Sequence, residues 1–187
     1  MKKTAIVFFL AWVLTASAWG QIFRCDGEGR QGRVSLTLQF VDYADYHYVL
    51  YIEGVSIFLD EENIGQLRAV LDKFGAWVTI AQNEQVSLTK TIGTVRGGEY
   101  HHNHTFVKKP LPLYFVFAGG PEFAAPPDSE ERRAVYTLFI DSGLDVVSPF
   151  RLSREQAEAF LASLTPDKLA EARAVYDRQK ALEELFR

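Results

Sequence analysis

The chain has 187 residues, 48% apolar and 24% charged, with 20 Lys and Arg against 24 Asp and Glu for a net charge of −4. That length and balance suit one domain with a packed core and exclude a disordered chain. The acidic surplus excludes the basic surface that nucleic-acid phosphates demand, and the lone Cys25 excludes an intrachain disulfide.

The first 20 residues have the pattern of a targeting leader. Lys2 and Lys3 precede the apolar run Ala5 to Leu14 (AIVFFLAWVL), and small residues follow it. The run is too short to span a bilayer, and no later apolar stretch reaches about 18 residues. This opening resembles bacterial Sec-type signal peptides. Ala18 and Gly20 occupy positions −3 and −1 for a cut before Gln21, and a cut after Ala18 also satisfies the small-residue rule. Cys25 follows Ile22-Phe23-Arg24, so it lacks the small residues that precede a lipid-attached cysteine. We therefore expect a leader over 1–20 and a single α+β domain over 21–187. The product is an exported protein, periplasmic or secreted, with no transmembrane helix once the leader is removed. Losing Lys2 and Lys3 takes the basic count from 20 to 18 against 24 acids, a net −6. The chain also lacks a basic amphipathic stretch for anionic lipid.

Gln21 to Gly32 is polar and glycine-rich, and reads as a mobile start or a first turn. Arg33 to Asp42 alternates, with Val34, Leu36, Leu38 and Phe40 opposite Ser35, Thr37 and Gln39. That is an antiparallel strand with one wet face. After a turn at Asp42 to Asp45, a second strand sets Tyr46, Tyr48, Leu50 and Ile52 opposite His47, Val49, Tyr51 and Glu53. Glu53-Gly54 makes a tight hairpin connection to Val55 to Leu59. Asp60 then caps a helix with Glu61 and Glu62 in its first turn. Its stripe of Ile64, Leu67, Leu71 and Phe74 continues through Trp77, Val78 and Ala81, so one long helix runs past Gly75 to about Asn83.

Gln85 to Arg96 reads as a strand and Gly97 to His104 as a polar excursion, with pairing resumed at Thr105 to Lys108. Pro110 and Pro112 mark an edge or a bend. Leu113 to Ala118 is apolar on both sides, as in a central strand covered on both faces or one crossing between layers. Gly119 to Ser129 is the longest non-periodic loop.

The strand–strand–helix order then returns. Leu138-Phe139-Ile140-Asp141 matches Leu50-Tyr51-Ile52-Glu53, and Gly143 follows as Gly54 does. Leu144 to Phe150 reads as the second strand. Ser153 with Gln156 forms a capping box before Ala157, Phe160, Leu161 and Leu164. Thr165-Pro166 opens a last, charge-laced helix with a thin stripe of Leu169, Ala172, Tyr176, Leu182 and Leu185, which docks lightly or binds something else. The expected fold is an antiparallel sheet of about six or seven strands with helices packed on one face, an internal strand–strand–helix repeat, and a C-terminal helix. Such repeats occur in some nucleic-acid-binding proteins, but export and acidity oppose that use here.

Concentrated chemistry is confined to His101-His102-Asn103-His104 with Glu99 close by. On an extended strand His102 and His104 share a face, and neutral imidazoles so placed can hold zinc or copper, with Glu99 or a distant carboxylate completing the site and His101 adjacent. No second ligand pair stands out. Asn103-His104-Thr105 matches a glycosylation pattern, which a bacterial-type leader makes a coincidence. Gly-x-Ser-x-Gly is absent, and the glycine pairs lack the context and lysine of a phosphate cradle. Two surface readings remain: a hydroxyl-rich sheet face from Ser35, Thr37, Gln39, Ser87, Thr89 and Thr91, and an aromatic patch from Tyr46, Tyr48 and Tyr51. The expected function is a non-enzymatic binding or interaction protein of the bacterial envelope, with an unknown protein or small ligand as partner. A metal-binding protein using the histidine cluster is the alternative, and a hydrolase with a dispersed site near the Gly119 to Ser129 loop is the second.

Overall fold

A computed structural model describes residues 20–29, 32–102, 105–123, 134–144 and 149–186. The expected leader lies almost wholly outside them, as do His104 and the segment 124–133.

Glu53 and Gly54 both take positive φ, 43° and 81°, and join strand β3 (Tyr46–Ile52) to β4 (Val55–Leu59). Two left-handed residues in a row match the right-handed twist of the flanking strands. From this hairpin the first sheet grows on both sides. β2 (Gly32–Tyr43) pairs with β3, and β1 (Gln21–Gly29) pairs with β2. Alternation divides the faces: Leu36, Leu38, Leu50, Ile52, Val55, Ile57 and Leu59 are all buried on the inner face.

The expectation of a mobile start at Gln21 is corrected by β1. Its polar residues hid the strand, because an edge strand is held by its main-chain ladder and needs few apolar anchors. Phe23 is that anchor, stacked on Phe160 at 4.4 Å and 12°.

Asp60 caps α1 (Glu61–Glu84) as the sequence predicts. Asn63 returns the bond, its Oδ1 accepting from the Asp60 amide at 3.1 Å. The helix passes Gly75 without a break and buries Ile64, Leu67, Val70, Leu71, Phe74, Val78 and Ala81.

The second sheet has four strands in the order β10-β9-β8-β5. These are β5 (Leu88–Gly97), β8 (Leu111–Gly120), β9 (Val135–Asp141) and β10 (Phe150–Ser153). β8 is central: Leu113, Phe115 and Phe117 are buried on one face, and on the other Tyr114 is exposed while Ala118 is buried. Pro112 sits inside β8 opposite Arg96, before pairing with β9 begins at Tyr114, so its missing donor costs no ladder bond on that side. The strand expected over Leu144 to Phe150 instead spans Phe150–Ser153; residues 145–148 lie outside the described ones.

Between β5 and β8 the chain crosses to the first sheet. The Gly98 amide donates to the Phe58 oxygen at 2.8 Å, and the Phe58 amide to the Glu99 oxygen at 2.9 Å. A Cβ on Gly98 would overlap the Tyr46 ring, so the crossing needs glycine for space. The excursion is then a short hairpin, β6 (Tyr100–His102) and β7 (Thr105–Val107), that extends the first sheet to six strands in the order β1-β2-β3-β4-β6-β7.

α2 (Arg154–Ser163) begins with the predicted Ser153–Gln156 capping box. α3 (Pro166–Glu184) has Thr165 at its N-cap, though without a side-chain cap bond. The fold is thus α+β, with its strands divided between two antiparallel sheets. Each sheet contains a four-stranded meander followed by a helix: β1 to β4 then α1, and β5, β8, β9, β10 then α2. The sequence-level match holds at the level of faces, since Leu50, Ile52, Leu138 and Ile140 are all buried while Tyr51 and Phe139 are not. Among the described residues no helix is long and apolar enough to cross a membrane.

Candidate binding surface

The register of the six-stranded sheet aligns one residue from each strand across its outer face. The row runs Arg24, Thr37, Tyr51, Ser56, His101, Phe106. Each neighbour pair is directly opposed, so these side chains point the same way. The middle of the row is uncharged and carries three hydroxyls, those of Tyr51 and Ser56 and that of Thr37, which is buried. A second row, Gln39, Val49 and Phe58, lies beside it.

Phe58 is the centre of an aromatic cluster. Tyr43 stacks on it at 4.7 Å and 29°, and Phe106 stands edge-on to both rings at 6.1 Å. Tyr46 approaches Phe58 at 6.0 Å. Tyr43 and Phe106 keep 41% and 36% of their surface in solvent, and Tyr51 keeps 38%. Such a face suits ring stacking and hydroxyl hydrogen bonds with a partner.

The aromatic reading of Tyr46, Tyr48 and Tyr51 therefore splits. Tyr48 belongs to the core, where its hydroxyl donates to Glu61 Oε1 at 2.8 Å. Burial, then the Glu61 carboxylate, push its phenol pKa up. Tyr51 faces outward, and partial burial raises its pKa as well. Tyr43, Phe58 and Phe106 are not neighbours in sequence, and only pairing across β2, β3, β4, β6 and β7 gathers them. One signal was present: Phe58 shares strand parity with Ser56, the polar side of β4.

The hydroxyl-rich face also divides. Ser35, Thr37 and Gln39 lie on β2 of the first sheet, and Thr89 and Thr91 on β5 of the second. Ser87 precedes β5, and its hydroxyl accepts from the Glu122 amide at 2.8 Å.

Within the histidine cluster, His101 opposes Ser56 and Phe106 on the outer face. His102 opposes Val55, and Tyr100 opposes Ile57, which places those two on the core side of the sheet. Glu99 and His101 have one parity and His102 the other. His104, the expected partner of His102, lies outside the described residues. Among the described residues no group of three or more His, Cys, Asp or Glu is placed to hold a metal ion.

A cleft of about 640 Å³ is lined by Gln82, Gln85, Ala134, Val135, Tyr136, Ser153, Arg154 and Glu155. Its one serine is committed to structure. Ser153 Oγ accepts from the Gln156 amide at 3.2 Å and donates to Glu155 at 2.8 Å. No imidazole is among the described residues that line this cleft. The Gly119 to Ser129 loop is described only as far as Phe123, where β8 ends in a short 3₁₀ turn.

Comparison with protein-family models, with curated proteins and with solved structures gave no match. The α+β architecture and the outer face of the larger sheet are therefore what a functional reading has to start from.

Proposed function

We propose that the chain is an exported binding module of the bacterial envelope, engaging its partner through the outer face of the six-stranded sheet. One observation carries the reading: the aromatic cluster of Tyr43, Phe58 and Phe106 is continuous with the Thr37–Tyr51–Ser56–His101 row and is partly open to solvent. On this face Val49 and Thr37 are buried while the Tyr43 and Phe106 rings keep a large share of their surface in solvent. Surface aromatics grouped in this way are energetically costly to leave wet and are a common feature of contact surfaces. The leader pattern supports the compartment, and the acidic balance supports a partner other than nucleic acid.

The test uses the full chain with its natural leader. Wild type and a Tyr43→Ser/Phe106→Ser variant are compared for the envelope components each retains. The reading expects the variant to be exported and folded like wild type but to lose a component that wild type keeps. Equal retention by both would remove the outer face from the account, and retention of both in the cytoplasm would remove export.

A further inference from the structure

We propose that the leader is cut after Ala18, so that the mature chain begins at Trp19 and keeps Gly20. The inference rests on the export reading and moves its boundary by two residues.

Gly20 is built into the fold. It is buried, and its main-chain oxygen accepts from the Phe40 amide at 2.8 Å, just ahead of the Gln21–Gln39 pair that opens the β1–β2 ladder. Its φ of 63° is left-handed. A Cβ there would come within 3.1 Å of Phe40 Cβ, 3.2 Å of the Phe40 oxygen and 3.4 Å of Tyr176 Cβ. The left-handed backbone thus favours glycine at this position in the folded protein, and any side chain would press on Phe40 and Tyr176 by a few tenths of an ångström. A residue discarded with the leader has no such constraint; it needs only to be small.

A cut before Gln21 removes what the fold uses. The Phe40 amide loses this acceptor, and a free ammonium replaces the peptide between Gly20 and Gln21. The sequence supplies a better site two residues earlier. Ala16-Ser17-Ala18 puts alanine at both −3 and −1, whereas a cut before Gln21 places Trp19 between the two small residues.

The experiment is the intact mass of the exported protein, made from the full chain with its own leader. The expected mass is that of a chain starting at Trp19. A chain starting at Gln21 overturns the inference and leaves export standing. An uncleaved chain overturns the export reading, and the inference with it. The Gly20→Ala variant gives a second readout, because alanine is as acceptable as glycine at −1. With a cut after Ala18 the substitution persists and lowers the melting temperature of the exported protein. With a cut before Gln21 it leaves with the leader, and the exported variant matches wild type in mass and melting temperature.

Discussion

Asn63 Nδ2 donates to the main-chain oxygen of Arg96 at 2.9 Å, so the residue that completes the capping box of α1 also covers the open edge of β5. Lys73 Nζ does the same for the Ile92 oxygen at 2.7 Å, ten residues along the helix. An edge strand otherwise presents a row of unpaired carbonyls to other chains. Asn63→Ala removes one half of the cap and leaves a partly buried carbonyl without its donor. The expected loss is about 2 kcal/mol, read from urea unfolding at an unchanged slope. Asn63→Asp keeps the acceptor for the Asp60 amide but not the donor, and is expected to lose stability too.

Gly93 faces α1 across the β5 bulge, where a Cβ would overlap Val70 Cγ2. Val70 is β-branched and sits in a helix, so it has no other comfortable rotamer. Gly93→Ala is expected to cost about 1–3 kcal/mol by overpacking. Val70→Ala in the same background relieves the overlap, so the double variant is more stable than the sum of the two single losses. Additive losses would mean that the two positions do not meet.

Much of this packing was legible beforehand. The capping pairs, the Glu53-Gly54 turn and the α1 stripe are local patterns whose physics is complete within a few residues. The edge strand β1 was hidden because polar residues at an edge look like loop. The division into two sheets was hidden because Gly97-Gly98 reads as a turn, whereas Gly98 lets the chain pass beneath the Tyr46 ring. The outer-face row was hidden for a third reason. His101 and Phe106 meet Ser56 and Tyr51 only through the pairing of β6 with β4, and nothing within Gly97 to Lys108 specifies that partner.

Cys25 provides a pH test. Burial, then the neighbouring Asp26 charge, push its thiol up to about 11 from an ordinary 9.0. The folded state therefore holds the proton more tightly than the unfolded state. The resulting stability is fully present below about pH 9 and is lost as the pH rises through 11. Alkylation of the native thiol should be slow near pH 8, rise steeply toward pH 11, and become fast at any mildly alkaline pH once the chain is unfolded by urea. Rapid labelling of the folded protein near pH 8 would contradict the placement of Cys25 in β1.

α3 should open before the rest of the fold. Only Ala172 is fully buried along it, and its dock is the Tyr176–Phe40 ring contact at 5.3 Å together with the exposed Lys180–Asp42 pair at 2.7 Å. Gln179 Oε1 is buried without a hydrogen-bond partner among the described residues. Hydrogen exchange is expected to be faster over Pro166–Glu184 than over Glu61–Glu84, and α3 exchange should accelerate in Tyr176→Ala while α1 is unchanged. Equal protection of the two helices would mean that α3 belongs to the main cooperative unit.

The most direct measurement of the central claim is photo-crosslinking in living cells, with a photoreactive residue placed singly at Tyr51, at Phe106 and at Arg68. Tyr51 and Phe106 lie on the outer face of the larger sheet, and Arg68 is exposed on α1. A partner seated on the outer face gives one shared crosslinked species from Tyr51 and Phe106 and none from Arg68. Crosslinks at Arg68 alone, or the same yield from all three positions, would contradict that claim.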